Sequence, residues 1–390
     1  MCITAAGSAG SAQSFLTSSS FPLTTSRHTN RQYASAYAAS LQLDPHSPMS
    51  GVHSRSCEDG MMMNPDRRSN SVTRWAVTGG LALVLAVPGI AAAQTRYSGV
   101  VVFGTSLSDS GNAFVLVGDQ NTPADFDLNP FLIPSAPYAK GGHHFSDGAT
   151  WIEQFARGAG LGGSVKAALG SSSTEASNYA VGAARAWEDG VNFNLTRQVS
   201  TFLGRPGPDV SPTALYVIEM GGNDVRDAFQ MYIFGGPTGP VRAGEILTAA
   251  LGSIAANIQT LYRAGARDFL VWSSPNIALT PAIRPLGPQA GGLAAGLAQS
   301  FNYNLTKVVA GLSAALPGAT FARLDAYEIQ AAIVAHPENY GLTNATTACI
   351  TPSVAPYSCQ NADDYLFWDG IHPTKAGHAI LAQETANVVR

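Results

Sequence analysis

From residue 100 onwards, apolar runs of strand length alternate with longer segments that carry the 3.6-residue period of a helix. The predicted strands are residues 100–102, 178–181, 214–220, 269–272 and 320–324. The predicted helices are a short one from Trp151, then 195–203, a stripe of Leu247, Leu251, Ile254, Ile258 and Leu261 that ends near Gly265, then 294–316 and 375–388. Strands that alternate with helices are typical of a parallel sheet covered on both faces. We therefore expect one three-layer α/β/α domain over residues 94–390.

The first 93 residues lack this alternation and divide into two parts. Residues 1–60 are rich in Ser, Ala and Thr without a sustained apolar period, so we expect them to be disordered. Residues 61–93 have the basic start, the apolar run and the Ala91-Ala92-Ala93 ending of a secretory signal peptide. A membrane anchor is the alternative, but it needs about 20 apolar residues, and Gly79, Gly80 and Pro88 interrupt this run.

An export signal acts at a chain terminus, which places the expected start of translation at one of Met61–Met63. Residues 1–60 would then not belong to the protein, and the mature chain would begin near Gln94. The expected location is secreted or periplasmic. Cys349 and Cys359 remain in this part of the chain, and an even pair of cysteines in an exported protein favours a disulfide.

Composition excludes some classes of function. The net charge is −4 and no basic stripe is present, so nothing favours nucleic acid as a partner. His143 and His144 are adjacent in a Gly-rich stretch, and neighbouring residues seldom point at one ion, so we interpret them as part of a solvated loop rather than a metal site.

Three residues that can take part in chemistry follow predicted strands directly. Ser106, Gly182 and Asn223 each come just after an apolar run, and Gly104 permits a sharp turn before the serine. The carboxyl ends of parallel strands meet at one edge of a sheet, which is where open α/β sheets bind ligands. We expect the three residues to lie together there. The alternatives are a Ser/Gly-rich turn without chemistry, a plain turn glycine, and an asparagine that tolerates a left-handed conformation.

A base for this serine is present near the end of the chain. His372 follows Asp369 by three residues in a turn before a helix. At that spacing the carboxylate can reach the Nδ1–H of the imidazole, which leaves Nε2 free to accept the serine proton. The alternative is a surface histidine that caps the following helix. His378, inside that helix, and His336, before a proline, fit structural roles better.

Four stretches in this order and with comparable spacing resemble the conserved blocks of the GDSL, or SGNH, hydrolase family. They are Gly99–Asn112, Asn178–Gly182, Gly221–Asp224 and Asp369–Pro373. The resemblance implies a flavodoxin-like SGNH hydrolase fold and an acyl-enzyme on Ser106, with Asp369 and His372 completing the triad. It implies an oxyanion hole of Ser106, Gly182 and Asn223, a structural role for Asp224, and no metal or organic cofactor. The chain looks most like the bacterial branch labelled phospholipase, lecithinase or hemolysin.

Two features depart from related patterns. Thr105 stands where this family usually has aspartate. If Thr105 merely weakens a turn network, Thr105→Asp should raise the rate of ester hydrolysis or leave it nearly unchanged. The Gly-x-Ser-x-Gly motif of ordinary α/β-hydrolases is absent, because Ser108 occupies its last position.

The expected function is a secreted serine hydrolase of carboxylic esters, whether lipid, phospholipid or short-chain acyl esters, acting as a monomer with transient contact with lipid surfaces. One alternative is an acyltransferase that uses the same acyl-enzyme. Another is a secreted binding protein on a catalytically weakened scaffold. Apolar residues after Asn223 form either an acyl-binding wall or ordinary core and helix face: Phe229, Met231, Tyr232, Ile233 and Phe234.

Overall fold

A computed structural model describes residues 96–118, 133–205, 210–350 and 359–389. These residues all belong to one compact unit, Ala91–Arg390. The segment predicted to be disordered and the predicted signal peptide lie outside the described residues.

The described residues contain a regular series of strands and helices. The strands are β1 Val100–Gly104, β2 Leu215–Glu219, β3 Asp268–Trp272, β4 Thr320–Leu324, β5 Asn344–Ala348 and β6 Tyr365–Phe367. The helices are α1 Asn112–Val117, α2 Trp151–Gly158, α3 Leu195–Leu203, α4 Gly222–Phe234, α5 Gly239–Ala264, α6 Gly287–Ala315, α7 Ala326–Ala335 and α8 Lys375–Val388.

The main sheet is parallel, with the strand order β1-β2-β3-β4. The predicted strand 178–181 is not a regular strand, but this extended segment continues the sheet beyond β1. The N–H of Val102 donates to the carbonyl of Ser177 at 3.0 Å, and the N–H groups of Tyr179 and Val181 donate to Val102 and Gly104 at 2.8 and 3.2 Å. With this segment counted second along the chain, the strand order becomes 2-1-3-4-5, the flavodoxin-like order.

Side chains alternate between the two faces of the sheet and bury a core on each. Val101 and Phe103 of β1 belong to a core that also contains apolar residues of α3, α4, α5 and α6. Val100 and Val102 belong to the opposite core, which contains residues of α2, α7 and α8. The structure therefore confirms the three-layer α/β/α domain.

A two-stranded parallel sheet of β5 and β6 lies outside the main sheet and was not expected from the sequence. The Cys349–Cys359 disulfide, with 5.4 Å between the two Cα atoms, joins the chain after β5 to the chain before β6. Within the described ranges, every helix is too short or too polar to span a lipid bilayer.

Candidate active site

Ser106 lies at the carboxyl edge of the main sheet, in a turn directly after β1. Its side chain is largely buried. The N–H of Ser108 donates to the Thr105 carbonyl at 3.1 Å and closes the turn. Across a trans peptide the Thr105 carbonyl and the Ser106 N–H point in opposite directions. The Ser106 N–H, which has no hydrogen-bond partner among the described residues, therefore faces away from the turn.

His372 reaches this serine from a turn between β6 and α8. Its Nε2 lies 2.8 Å from the Ser106 Oγ, and its Nδ1 lies 2.7 Å from the Asp369 Oδ2. Both Asp369 and His372 are buried. The structure brings these three residues into the order that sequence reasoning expected, and a hydroxyl bonded to a neutral imidazole can lose its proton to it.

The Asp369 carboxylate is held by bonds on both oxygens. Oδ1 accepts from the backbone N–H groups of Ile371 and His372 at 2.9 and 2.8 Å. Oδ2 accepts from the Tyr138 hydroxyl at 2.9 Å as well as from the imidazole. Burial, and secondarily the Asp369 charge, raises the pKa of Tyr138 well above its ordinary value, so its hydroxyl remains a donor.

Sequence reasoning missed Tyr138. It lies 231 residues from Asp369 along the chain, and a single Tyr after a proline carries no signal of such a contact. The ring is buried and lies edge-on to Trp368, with 5.9 Å between the ring centroids. The contact is therefore visible only in the folded chain.

Asn223 lies in the first turn of α4. Its Nδ2 donates one hydrogen to the Ala184 carbonyl at 2.8 Å, which fixes the amide and leaves the second hydrogen for another acceptor. Asp224 accepts from the N–H groups of Ala186 and Trp187, both at 2.9 Å, and so ties the segment after Gly182 to α4. Burial raises the pKa of Asp224 to about 6.

Gly182 lies beside the site, but its N–H has a partner already. It donates to the Asp109 Oδ2 at 2.8 Å instead of facing the Ser106 hydroxyl without a partner. The need for glycine here has a cause that the sequence did not show, because an added Cβ would lie 2.3 Å from the ring of Phe145. That ring lies 5.3 Å from the His372 ring, so Phe145 covers both residues.

Asp109 is a second residue that sequence reasoning missed. It is fully buried and accepts from four backbone N–H groups, those of Gly111, Asn112, Ala113 and Gly182. Burial raises its pKa to about 6, and these hydrogen bonds oppose the rise. The carboxylate therefore joins the Ser106 turn, the start of α1 and the Gly182 segment.

Glu219 is a third residue that sequence reasoning missed. It ends β2, and its carboxylate accepts from both the N–H and the hydroxyl of Thr105. Burial raises the pKa of Glu219 to about 7. In the sequence it stands inside an apolar run and follows strand spacing, so only the register of β1 and β2 places it beside the serine.

The other histidines singled out in the sequence lie apart from this arrangement. His378 is buried in α8, where burial lowers its pKa to about 3, and His336 is exposed. His144 is paired with Glu153 at 3.0 Å, and His143 stacks on Phe114. Among the residues that the structure describes, no group of His, Cys, Asp and Glu has the arrangement of a metal site.

Of the apolar residues after Asn223, Phe229 is part of the buried core and Met231 packs against it. Tyr232, Ile233 and Phe234 are exposed at the end of α4. The five residues therefore do not form one wall.

Comparison with known proteins identifies relatives over most of this domain. Residues 100–385 match the family described as GDSL-like Lipase/Acylhydrolase. The GDSL esterase/lipase At1g29660 of Arabidopsis thaliana is 26% identical over 351 residues, which cover 81% of this chain and 94% of the relative. The GDSL esterase/lipase At1g71250 of the same plant is 26% identical over 371 residues, or 82% of this chain and 94% of the relative. A third plant relative, At5g22810, is 30% identical over 183 residues, or 43% of this chain and 50% of its own.

These relatives are plant proteins, and they do not support the expected bacterial phospholipase, lecithinase or hemolysin branch. The coarser expectation of a GDSL esterase/lipase is confirmed. Because the family match spans well over half of the chain, the protein belongs to the GDSL-like lipase/acylhydrolase family and is a carboxylic ester hydrolase.

Proposed function

We propose that this enzyme hydrolyses esters through an acyl-enzyme on Ser106, with His372 as the general base and Asp369 as the residue that orients it. One observation carries the proposal: the Ser106 Oγ, the His372 imidazole and the Asp369 carboxylate are joined by hydrogen bonds of 2.8 and 2.7 Å. The burial of all three residues supports it further, because buried hydrogen bonds hold a fixed geometry.

In the first half of the reaction, the Ser106 Oγ attacks the ester carbonyl carbon while its proton passes to the His372 Nε2. The carbonyl oxygen becomes an oxyanion. When the tetrahedral intermediate collapses, the bond to the leaving alcohol breaks and His372 returns the proton to that alcohol. In the second half, water attacks the acyl-enzyme with the same base, and the carboxylic acid and free serine are released.

Two donors are available to the oxyanion, namely the Ser106 N–H and the second amide hydrogen of Asn223. Each such donor is worth roughly 3–4 kcal/mol of transition-state stabilisation. Gly182 would join them only when its N–H is shared between Asp109 and the substrate, since it already donates to that carboxylate. We therefore assign the larger part of oxyanion stabilisation to Ser106 and Asn223.

The proposed substrates are esters with an apolar acyl group. The α1 helix begins six residues after Ser106 in the chain and exposes three consecutive apolar side chains. They are Val115, Leu116 and Val117, with 45%, 45% and 65% of their surface exposed. Exposed apolar residues grouped on one short helix favour contact with acyl chains or a lipid surface.

Export to the periplasm or medium is also part of the proposal. The signal-peptide pattern over residues 61–93 supports it, and so does the Cys349–Cys359 disulfide, since disulfides persist in oxidising compartments. Intact-mass analysis of protein recovered outside the cytoplasm should give a chain that starts near Gln94. Recovery of exported protein that retains residues 1–93 would contradict this part.

The chemistry is tested by labelling with a fluorophosphonate, which reacts with activated serines, followed by peptide mass spectrometry. We expect a single adduct on Ser106 and loss of both labelling and esterase activity in Ser106→Ala. Ser110→Ala is the matched control, because it removes a hydroxyl from the same turn and should keep labelling. Full activity in Ser106→Ala would refute the assignment.

A further inference from the structure

The turn that carries Ser106 is fixed by a carboxylate from the neighbouring strand. Glu219, the last residue of β2, pairs with Gly104 of β1 and is only 3% exposed. Its Oε2 accepts from the Thr105 N–H at 2.8 Å, and both of its oxygens lie 3.0 Å from the Thr105 hydroxyl. Its Oε2 also accepts from the Ser108 hydroxyl at 3.1 Å. Glu219 thus bonds residues on both sides of Ser106.

A second contact shows that the Ser108 hydroxyl is directed at Glu219. The Trp151 Nε1–H donates to the Ser108 Oγ at 2.9 Å, and an indole N–H can only donate. The single hydroxyl hydrogen of Ser108 is therefore left for the carboxylate. Gly104 provides the room, because a Cβ there would lie 2.9 Å from the Glu219 Oε2.

These bonds determine where the Ser106 N–H points. The peptide that joins Thr105 to Ser106 is held at its carbonyl by the Ser108 N–H, and the residues at both ends of this turn are bonded to Glu219. Since the peptide is planar, the Ser106 N–H has only one direction left, away from the turn. A loss of these bonds would free the peptide to rotate and would misalign a donor to the oxyanion.

The buried carboxylate of Glu219 carries a desolvation penalty, and its described hydrogen-bond partners include no cation that would offset it. Among the described residues, all of the hydrogen-bond donors to Glu219 are neutral groups, and burial raises its pKa to about 7. An apolar residue would stabilise β2 without this desolvation penalty. This loss of stability is consistent with a role of Glu219 in setting the geometry of the serine turn.

We propose that Glu219 is a positioning residue that aligns the Ser106 N–H and hydroxyl through Thr105 and Ser108. This inference rests on the proposed role of Ser106 as nucleophile. It reverses the sequence expectation for Thr105. An aspartate at 105 would set a second carboxylate within hydrogen-bond distance of Glu219 and replace a donor with an acceptor, so Thr105→Asp should be harmful.

The experiment compares Thr105→Asp with the double variant Thr105→Asp/Glu219→Gln. In the double variant the amide introduced at position 219 can donate to the new carboxylate. We expect Thr105→Asp to lower kcat about 100-fold, as loss of one aligned oxyanion donor does, with KM changed less than about threefold. The double variant should recover at least about tenfold in kcat. Thr105→Asn is the matched control, because it has the size of aspartate and can donate to Glu219, and it should retain more activity than Thr105→Asp.

Three outcomes would overturn the inference: Thr105→Asp with the kcat of the unmodified enzyme, a folded double variant no faster than Thr105→Asp, or a loss confined to KM. Melting temperatures establish folding. If Thr105→Asp does not fold, Glu219→Gln alone decides, because it keeps the size of the side chain and should lower kcat while KM stays near its original value. An unchanged kcat in that variant refutes the role. Ser106→Ala is measured in parallel, since activity there would refute the proposed nucleophile itself, independently of Glu219.

Discussion

The two ends of the site use buried carboxylates in different ways. At the histidine end, Asp369 is three residues from His372 and its Oδ1 is bonded entirely by the backbone of its own turn. At the serine end, Glu219 is 114 residues from Thr105 and reaches the turn only because β1 and β2 are neighbours in the sheet. The contact between Asp369 and His372 is thus set by local sequence, and the contact between Glu219 and the serine turn is set by the fold.

The difference is also electrostatic. In the proposed mechanism, the imidazole bonded to Asp369 becomes positively charged during the reaction, so Asp369 has a charged partner. The donors that the structure describes for Glu219 are all neutral. Burial raises its pKa, and the charge of the nearby Asp224 adds to this effect. In the proposed mechanism, the carboxylate at the histidine end therefore acts by charge, and the one at the serine end acts by geometry.

The largest effects should come from the reacting pair itself. Ser106→Ala and His372→Ala should each lower kcat by roughly 10⁶-fold, and the double variant should be no slower than either, because residues that act as a unit are not additive. Single-turnover and steady-state rates with one ester substrate measure this. Losses that multiply in the double variant would show that the two residues act independently.

Asp369→Asn tests the charge at the histidine end. The amide keeps the size of the side chain but removes the negative charge and favours the wrong tautomer of His372, so kcat should fall by about 10⁴-fold. A fall in kcat of less than about tenfold would contradict the proposal that Asp369 acts by its charge. The melting temperature, measured beside the rate, separates this effect from unfolding.

The buried Glu219 should make the free energy of unfolding depend on pH. Its pKa is raised from 4.5 to about 7 in the folded chain, so the folded state binds more protons than the unfolded state between those values. The contribution of Glu219 to the free energy of unfolding is therefore most favourable below pH 4.5 and is lost as the pH rises through 7. Urea unfolding of Glu219→Gln and of the unmodified protein should show a difference that shifts in favour of the variant by about 1–3 kcal/mol over this range. A difference that is constant with pH would contradict the assignment.

Tyr138→Phe should give the smallest effect. The phenol shares the Asp369 Oδ2 with the His372 Nδ1–H, so its removal leaves this oxygen a stronger acceptor for the protonated imidazole. The backbone bonds to Oδ1 and the bond to His372 remain, so steady-state kcat/KM should fall only a few-fold. A loss of more than about 100-fold would show that the phenol is needed to hold the Asp369 carboxylate in place. Tyr303→Phe, at an exposed position of α6, serves as the control for loss of a hydroxyl.

Local patterns allowed the sequence to predict much of this molecule. The helix over residues 195–203, the strand over 320–324 and the helix over 375–388 were predicted with the bounds that the structure shows. Their apolar spacing and flanking residues lie within the elements themselves. Asp369 and His372 were predictable for the same reason, because three residues of spacing contain the whole contact.

The rest depends on contacts between distant segments. The run 214–220 correctly predicted β2, but a strand pattern does not tell which residue of a neighbouring strand Glu219 will face. The place of Gly182 after an extended segment predicted only that it lies at the sheet edge, and the family resemblance implied its role as an oxyanion donor; the bond from its N–H to Asp109 could not be predicted from either. The helix α6 begins at Gly287, earlier than predicted, because its first turns contain several glycines that lack an apolar period.

The position of β2 has a mechanical consequence. This strand ends in Glu219, which holds the serine turn, and only three residues separate Glu219 from Asn223 at the start of α4. The turn that holds Ser106 and the amide of Asn223 are thus connected through one short piece of backbone, and Glu219 at its start and Asn223 at its end are both buried. We expect a displacement of this piece to carry both groups with it, so that the two proposed oxyanion donors move together.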